Sequence, residues 1–117
     1  MQQLQDIFGK YADLDVYITT GAFTQWSDNA FRQAIEPHRG RIADGSLVFA
    51  SADTLDMQMV QLKEGLSNGQ VGKRPFQMGY LAMQRRLELK NGKALMDPEY
   101  TGLDVCTTAN ATSCLGQ

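Results

Sequence analysis

The sequence predicts an α/β fold in which a doubly wound, parallel sheet lies between two layers of helices. Helix-periodic segments and short β-branched segments alternate along the 117 residues in the order αβαβαβαβ, which is the order of parallel sheets with right-handed crossovers. The second strand segment, 46–51, contains the continuous apolar run 47–50. Such a run is typical of a strand buried on both faces, and it favours three layers over two.

The first half of the chain is predicted to form two helices and two strands. Apolar residues at helical spacing predict the first helix: Leu4, Ile7, Phe8 and Tyr11. Segment 14–20 is β-branched and aromatic, so it predicts a short strand that stops at the following glycine. Ser27 or Asp28 begins a second helix, which Pro37 ends. Segment 40–45 then predicts a connection to the second strand.

A third helix follows the second strand. Asp53 or Thr54 is placed to cap it, and the polar residues 67–69 close it. Its apolar positions again follow helical spacing: Leu55, Met59, Leu62 and Leu66. This pattern predicts one face packed on the sheet.

The last part of the chain adds an extended segment, a helix and a strand. Segment 70–74 is short and extended, and Pro75 suits the first turn of a helix that ends near residues 91–92. The face that this helix is predicted to bury comprises Phe76, Tyr80, Met83 and Leu87. Segment 100–105 is strand-like, which completes a Rossmann-like α/β/α arrangement of three layers.

Composition and charge exclude several classes of protein. With 43% hydrophobic residues, 21% charged residues and a net charge of −2, the chain has the composition of a globular protein. No apolar run approaches the ~20 residues that a membrane-spanning helix needs. Bases are concentrated between residues 73 and 93, where Glu88 alone opposes them. Without interleaved aromatic residues, this stretch indicates the exposed face of a helix, and we predict no nucleic-acid partner.

The two cysteines, Cys106 and Cys114, allow two interpretations. A zinc site needs about four ligands, and His38 is the only histidine, so no metal site is predicted. A disulfide that closes a short terminal loop is favoured, and it would indicate an oxidising compartment. Two unpaired thiols in a cytosolic protein are the alternative.

Ligands of parallel α/β sheets bind beyond the carboxyl ends of the strands. The loops of interest are therefore 21–23, 53–54 and 70–74. The Asp53 carboxylate can accept hydrogen bonds from the hydroxyls of a polyol, or it can simply cap the next helix, and one residue can do both. Phe23 and Trp26 offer aromatic rings that stack on the apolar face of a sugar.

Catalytic motifs are absent from the sequence. It contains no dinucleotide-binding or P-loop glycine pattern, no nucleophile elbow and no metalloprotease motif. His38 follows a proline in a connection, so we predict a solvated histidine and not a general base. The pattern favours a binding protein over an enzyme.

Four segments carry a resemblance to a known family: Val16–Gly21, Ser51–Asp53, Gln70–Tyr80 and Asp97–Cys106. Together they resemble the C-terminal part of the periplasmic sugar-binding proteins of bacterial ABC importers, the ribose-binding-like (type I) periplasmic binding proteins. The most specific piece is the pattern Pro-aromatic-x-x-Gly-Tyr that begins at Pro75. The resemblance covers essentially the whole chain.

The resemblance implies a non-catalytic sugar-binding protein without a cofactor, whose full-length form delivers its ligand to a membrane permease. Family members have two lobes, so this chain is expected to be a C-terminal fragment. Residues 1–69 would belong to the C-terminal lobe, residues 70–74 to a hinge or crossover, and residues 75–117 would associate with the missing N-terminal lobe. The fragment would lack a signal peptide because it starts downstream of one, and the cysteine pair would suit the periplasm.

The resemblance also implies a set of ligand-binding residues: Gly21, Phe23, Trp26, Asp53, Gln70 and Lys73. Asp53 matches the family's aspartate that binds sugar hydroxyls. Lys73 stands where the family commonly has a glutamine, and nearby Gln70 is expected to take that role. Gly21 stands where many members have an asparagine, and the aromatic side chains of the same loop are expected to compensate.

A sensor of the same architecture is the alternative function, either in a transcription regulator or in a chemoreceptor system. A cytosolic regulator would not need the cysteine pair. A small Rossmann-like enzyme is a third and weaker hypothesis. The isolated chain carries half of a cleft, so we expect no sugar affinity tighter than about millimolar. We also expect a homodimer or a segment exchange about residues 70–74.

Overall fold

Four strands form one sheet at the centre of the chain, and four of the five helices lie against it. The structure is a computed structural model that describes residues 2–114, so the outermost residues of the predicted segments 1–69 and 75–117 lie outside it. The helices are α1 (Gln2–Lys10), α2 (Asp28–Ile35), α3 (Arg39–Asp44), α4 (Asp56–Lys63) and α5 (Pro75–Lys90), and the strands are β1 (Val16–Thr19), β2 (Val48–Ala52), β3 (Gly69–Lys73) and β4 (Leu103–Thr107).

The sheet has the strand order β1-β2-β3-β4. The first three strands are parallel, as predicted, but β4 is antiparallel to β3, with Gln70 opposite Cys106 and Gly72 opposite Asp104. The prediction of a wholly parallel sheet was therefore wrong at its last strand. The reason is that α5 does not cross back over the sheet, so the chain returns at the edge where β3 ended.

One face of the sheet is covered by helices of this chain. The main apolar core joins β1 and β2 to α1, α2 and α3, and it comprises Leu4, Phe8, Phe31, Ala34, Ile35, Ile42, Leu47, Phe49 and Leu66. Phe31 contacts Phe49 edge-on at a centroid distance of 5.4 Å, and Tyr17 stacks on Phe49 at 5.2 Å. This face shows the alternation of a half-buried sheet.

The other face of the sheet is apolar and exposed. Its residues alternate with those of the covered face: Val16, Ile18, Val48, Ala50, Ala52, Val71, Leu103 and Val105. Ile18 is 70% exposed and Val105 is 61% exposed. The described residues therefore supply two of the three predicted layers, although the sequence gives both faces of the sheet an apolar character.

Helix α5 projects from the sheet. None of its residues is buried, and the face that was predicted to be buried is exposed: Phe76, Tyr80, Met83 and Leu87. The radius of gyration is 17.7 Å, against about 13 Å for a compact chain of this size. The helix is apolar on several sides, which is typical of a helix surrounded by other elements. Among residues 2–114, no helix is both long and apolar enough to span a bilayer.

The chain between α2 and β2 is helical where the sequence predicted a connection. Pro37 lies in a 3-10 turn (Glu36–His38), and α3 follows directly. Gly45 ends α3 with φ of 81°, a left-handed conformation that glycine adopts freely. Arg41 explains why this short helix is stable, because its guanidinium donates to the carbonyls of Ala12, Leu14 and Ser46 at 2.8–3.2 Å.

Cys106 and Cys114 form a disulfide, which confirms the favoured interpretation of the cysteines. Both are buried with Met59, Leu62 and Ala111 in a second apolar cluster, where α4 meets β4 and the C-terminal turn. A disulfide that closes a loop of this length stabilises a fold by about 2–3 kcal/mol. It fixes the C-terminal turn to the edge strand β4.

The exposed sheet face predicts that the isolated 117-residue chain associates. Covering this face removes apolar surface from water, so we expect dimers or larger species at micromolar concentration in sedimentation experiments. Ile18→Lys, on the exposed face, is expected to shift the distribution towards monomer. Gln33→Lys adds the same charge on α2, away from that face, and is expected to leave the distribution unchanged. A 13.0 kDa monomer with cooperative unfolding in the unaltered chain would contradict this account.

Candidate ligand-binding site

The carboxyl ends of the three parallel strands bring together most of the predicted ligand residues. The loop after β1 contains a 3-10 turn (Ala22–Thr24) and carries Phe23 and Trp26. The turn after β2 carries Asp53, and β3 ends at Lys73. Backbone and side-chain hydrogen bonds join these three segments, so they form one continuous edge.

Asp53 is the centre of this edge. It has φ of 74° and is the one non-glycine residue between 2 and 114 with positive φ. Its N–H donates to the carbonyl of Val71 at 2.9 Å, and its carboxylate Oδ2 accepts the N–H of Ala22 at 3.2 Å. Its other oxygen, Oδ1, lies 3.2 Å from the ammonium of Lys73. The side chain is still one-third exposed, so its free lone pairs can accept further hydrogen bonds.

The prediction that Asp53 or Thr54 caps the next helix was wrong. Helix α4 begins at Asp56, and Leu55 is its N-cap residue. The N–H of Leu55 donates to the side-chain carbonyl of Gln58 at 3.0 Å, which satisfies the end of the helix from within. The Asp53 carboxylate is therefore directed to the sheet edge and not to the helix.

Two basic residues at the end of β3 have different roles. Lys73 is half exposed and lies beside Asp53, so the two charges compensate each other. Arg74 is directed the other way and donates to Asp104 Oδ1 at 2.6 and 3.0 Å, where the aspartate side chain is 9% exposed. This second pair joins the end of β3 to β4. Lys73 alone of the two presents donors to the edge.

Gly21 makes room for an aromatic side chain. A Cβ atom at this position would lie 2.7 Å from the ring of Phe23, so that ring fills the volume where a side chain of residue 21 would begin. Phe23 is 71% exposed and Trp26 is 65% exposed, with their ring centroids 6.1 Å apart and their planes tilted by 58°. The two rings offer an exposed apolar surface next to the polar group of Asp53.

Gln70, in contrast, does not reach the edge. It is completely buried, where it donates to Ser67 Oγ at 3.1 Å and to the side-chain carbonyl of Gln25 at 3.2 Å. Its predicted contact with a ligand gains no support from this position.

Sequence reasoning missed the buried amides beneath the edge. Gln25, Gln58 and Gln61 are fully buried together with Gln70. Glutamine is rarely buried, and nothing in its spacing distinguishes a buried amide from an exposed one. The one signal is that Gln58 and Gln61 stand next to the predicted core residues Met59 and Leu62 on the same helix.

A cavity beside α5 has a different character. A groove of about 620 Å³ separates α5 from the segment before β4, and its lining includes Met78, Leu81, Tyr100 and Leu103. Apart from Lys73 at one end and the Arg85–Glu99 ion pair, the lining is mostly apolar. This composition suits packing against other apolar side chains better than recognition of a polar ligand.

His38 lies far from this edge, in the 3-10 turn before α3. Its ring is partly buried and contacts Phe8 at a centroid distance of 4.2 Å. Burial, and then the nearby positive charge of Arg41, lower the pKa of the imidazole. The histidine is thus a packing residue at the rim of the core and not the solvated side chain that the sequence predicted.

Comparison with known proteins supports the fold. No family model matches the chain, and no curated protein matches its sequence. A glucose-galactose-binding protein from Geobacillus stearothermophilus has a TM-score of 0.75 and 20% identity, over 93% of this chain and 37% of its own. A solute-binding protein of an ABC transporter from Agrobacterium vitis, bound to α-D-tagatopyranose, has a TM-score of 0.75 and 22% identity, over 96% of this chain and 36% of its own. A second solute-binding protein from Agrobacterium vitis, bound to D-fucose, has a TM-score of 0.74 and 22% identity, over 96% of this chain and 37% of its own.

The fold of this chain is similar to that of solved solute-binding proteins of ABC transporters. At 20–22% identity the likeness shows the fold, and it confirms the resemblance at that level. The chain spans 36–37% of the length of these structures. It is therefore similar to one part of such a protein.

The positive φ of Asp53 predicts an unusual order of stability for two substitutions. Asp53→Gly and Asp53→Ala both remove the carboxylate, but only glycine adopts positive φ without strain. We expect the free energy of unfolding of Asp53→Gly to exceed that of Asp53→Ala by about 1 kcal/mol in chemical denaturation. The same pair at Asp13, where φ is not positive, is expected to show the reverse order. Equal stabilities at position 53 would contradict the strain.

Proposed function

We propose that this chain is the C-terminal part of a sugar-binding subunit of an ABC importer, and that a neutral sugar binds at the carboxyl edge of β1, β2 and β3. The observation that carries the proposal is the arrangement around Asp53. Its carboxylate is held by one backbone N–H and one ammonium, yet remains accessible at the edge. Exposed aromatic rings stand on the adjacent loop.

This arrangement suits the chemistry of a sugar. A carboxylate accepts hydrogen bonds from two hydroxyl groups, and a neighbouring ammonium donates to hydroxyl or ring oxygens. Asp53 and Lys73 compensate each other's charge, so an uncharged ligand meets no unpaired charge at the edge. Phe23 and Trp26 provide surface for the apolar face of the ring. The proposed ligand set is thus Gly21, Phe23, Trp26, Asp53 and Lys73.

The exposed apolar surfaces support a larger parent protein. We assign residues 1–69 to the C-terminal lobe and residues 70–74 to the crossover, while α5 extends to an N-terminal lobe outside this chain. A second lobe would cover the exposed sides of α5 and fill the groove beside Tyr100, and further helices of the parent would cover the exposed sheet face. β4 pairs with β3 within this chain, so in our proposal only α5 and the segment before β4 contact the missing lobe.

Transport requires binding and closure, and no chemical step. The structural neighbours are solute-binding proteins, which supports a protein without catalytic activity. A membrane permease is the partner that this role implies for the parent. The disulfide supports a location outside the cytoplasm, in the periplasm or at the cell exterior. It also favours an importer subunit or chemoreceptor component over a cytosolic transcription regulator.

Sugar binding by the full-length protein tests the proposal. Calorimetric titration with a panel of neutral aldoses and ketoses is expected to find one that binds in a 1:1 complex. Asp53→Ala is then expected to weaken binding by about 1.5–3 kcal/mol, or about ten- to hundred-fold in Kd, the range for hydrogen bonds to a charged group.

Asp13→Ala is the matched control. It is the same substitution before β1, at the opposite end of the strand, and it is expected to leave Kd unchanged. Two results would overturn the proposal: a full-length protein that binds none of the sugars, or an Asp53→Ala variant that binds as tightly as the unaltered protein.

A further inference from the structure

A cluster of buried amides lies directly beneath the candidate site. Its members are Gln25, Gln58, Gln61 and Gln70, each with no exposed surface, together with Ser51 and Ser67. The cluster lies on the covered face of the sheet, where Ser51 is opposite Gln70 in the register. Buried amides are costly unless they are hydrogen-bonded, so a connected set of four is a feature that needs a physical reason.

Gln58 holds the turn that carries Asp53. Its side-chain nitrogen donates to the carbonyl of Ala52 at 3.1 Å, and its side-chain oxygen accepts the N–H of Leu55 at 3.0 Å. These two backbone groups flank Asp53 and Thr54 on either side. One amide therefore fixes both ends of the turn in which Asp53 has its positive φ.

Gln25 holds the loop that carries the aromatic rings. It directly follows the 3-10 turn that contains Phe23, and it directly precedes Trp26. Its side-chain oxygen accepts from Gln58 Nε2 at 2.9 Å, and its nitrogen donates to Gln61 Oε1 at 2.9 Å. The bond between Gln25 and Gln58 is thus a direct connection between the aromatic loop and the Asp53 turn.

The cluster is closed at its other end by a charged group. Gln61 donates to the carboxylate of Asp28 at 2.7 Å, at the start of α2. That bond and then the ion pair with Arg32 lower the pKa of Asp28. Since an ionised aspartate accepts but does not donate, it fixes which way the amide of Gln61 is oriented, and hence the donor and acceptor ends of Gln25.

We propose that Gln25 and Gln58 are positioning residues that set the distance between the aromatic rings and Asp53, and that this distance determines which sugars the site accepts. The inference rests on the proposed function for its ligand, but the coupling of the two loops is a property of the protein alone. Apolar side chains of similar length would fill the same volume without specifying how the loops are aligned.

Hydrogen exchange measures this coupling without a ligand. In the full-length protein, Gln58→Met is expected to accelerate exchange of the Ala22 amide about ten-fold relative to the Phe49 amide, the factor that corresponds to one lost hydrogen bond. The N–H of Ala22 is bonded to Asp53 and not to Gln58. The Phe49 amide is bonded to Asn68 in the core of the lobe. Equal acceleration at both amides would indicate general destabilisation and overturn the proposal.

Sugar selectivity is the second measurement. At a temperature where all variants are folded, Gln58→Met is expected to change the ratio of Kd values for D-galactose and its epimer D-glucose by about ten-fold. Gln25→Met, which removes the other half of the pair, is expected to have a similar effect, and the double variant is expected to add little to either. Leu62→Ala, a buried substitution on the same helix, is expected to lower the melting temperature without changing the ratio.

The two measurements separate the two proposals. Coupled exchange in a protein that binds none of the neutral sugars in the panel would support the alignment of the two loops by Gln25 and Gln58 and count against the proposed function. Sugar binding with an unchanged ratio in both methionine variants, together with uniform exchange, would leave the proposed function standing and overturn the positioning pair.

Discussion

The unequal covering of the two faces of the sheet is the constraint on which the rest of the structure depends. Both faces carry apolar side chains, but the helices between residues 2 and 114 cover only one of them. A parallel sheet is stable when both faces are removed from water. The sheet face opposite the core is exposed, and so are the apolar residues of the projecting helix α5. The large radius of gyration reflects the same uncovered apolar surface.

The buried polar side chains of the strands all lie on the covered face of the sheet. On the covered face, a row of side chains crosses the sheet from Thr19 at the end of β1, through Ser51 and Gln70, to Cys106. Its polar members connect to the amides of α4. They lie below Asp53, whose strained backbone and shared hydrogen bonds fix its carboxylate at the edge. A buried polar network of this kind aligns loops more sharply than an apolar core does.

Much of the fold could be predicted from local patterns. The three parallel strands, the helices between them and the disulfide have signals within a few residues of each other, such as the β-branched run before Gly21. The direction of β4 could not be predicted, because it depends on α5 leaving the sheet. Apolar residues of α5 such as Phe76 predict that the helix is buried, but they do not indicate what it packs against. Helix α3 was missed because its stability comes from distant carbonyls bonded to Arg41.

The candidate site was predicted in outline and not in detail. Its place beyond the strands follows from the topology of parallel sheets, and Asp53, Lys73 and the aromatic pair lie there. The role of Gln70 could not be judged, since the direction of its side chain depends on the register of β3. Positive φ at Asp53 is a property of the folded turn, and no sequence pattern distinguishes it from a helix cap.

Ligand-dependent protection in the full-length protein tests the central claim most directly. Hydrogen exchange would be measured with and without a saturating neutral sugar. The account predicts slower exchange in residues 21–26 and 53–55 at the carboxyl edge, and no change in residues 11–15 at the opposite edge. Protection confined to the groove between α5 and Tyr100, or no protection at any segment, would contradict the assignment of this edge as the ligand site.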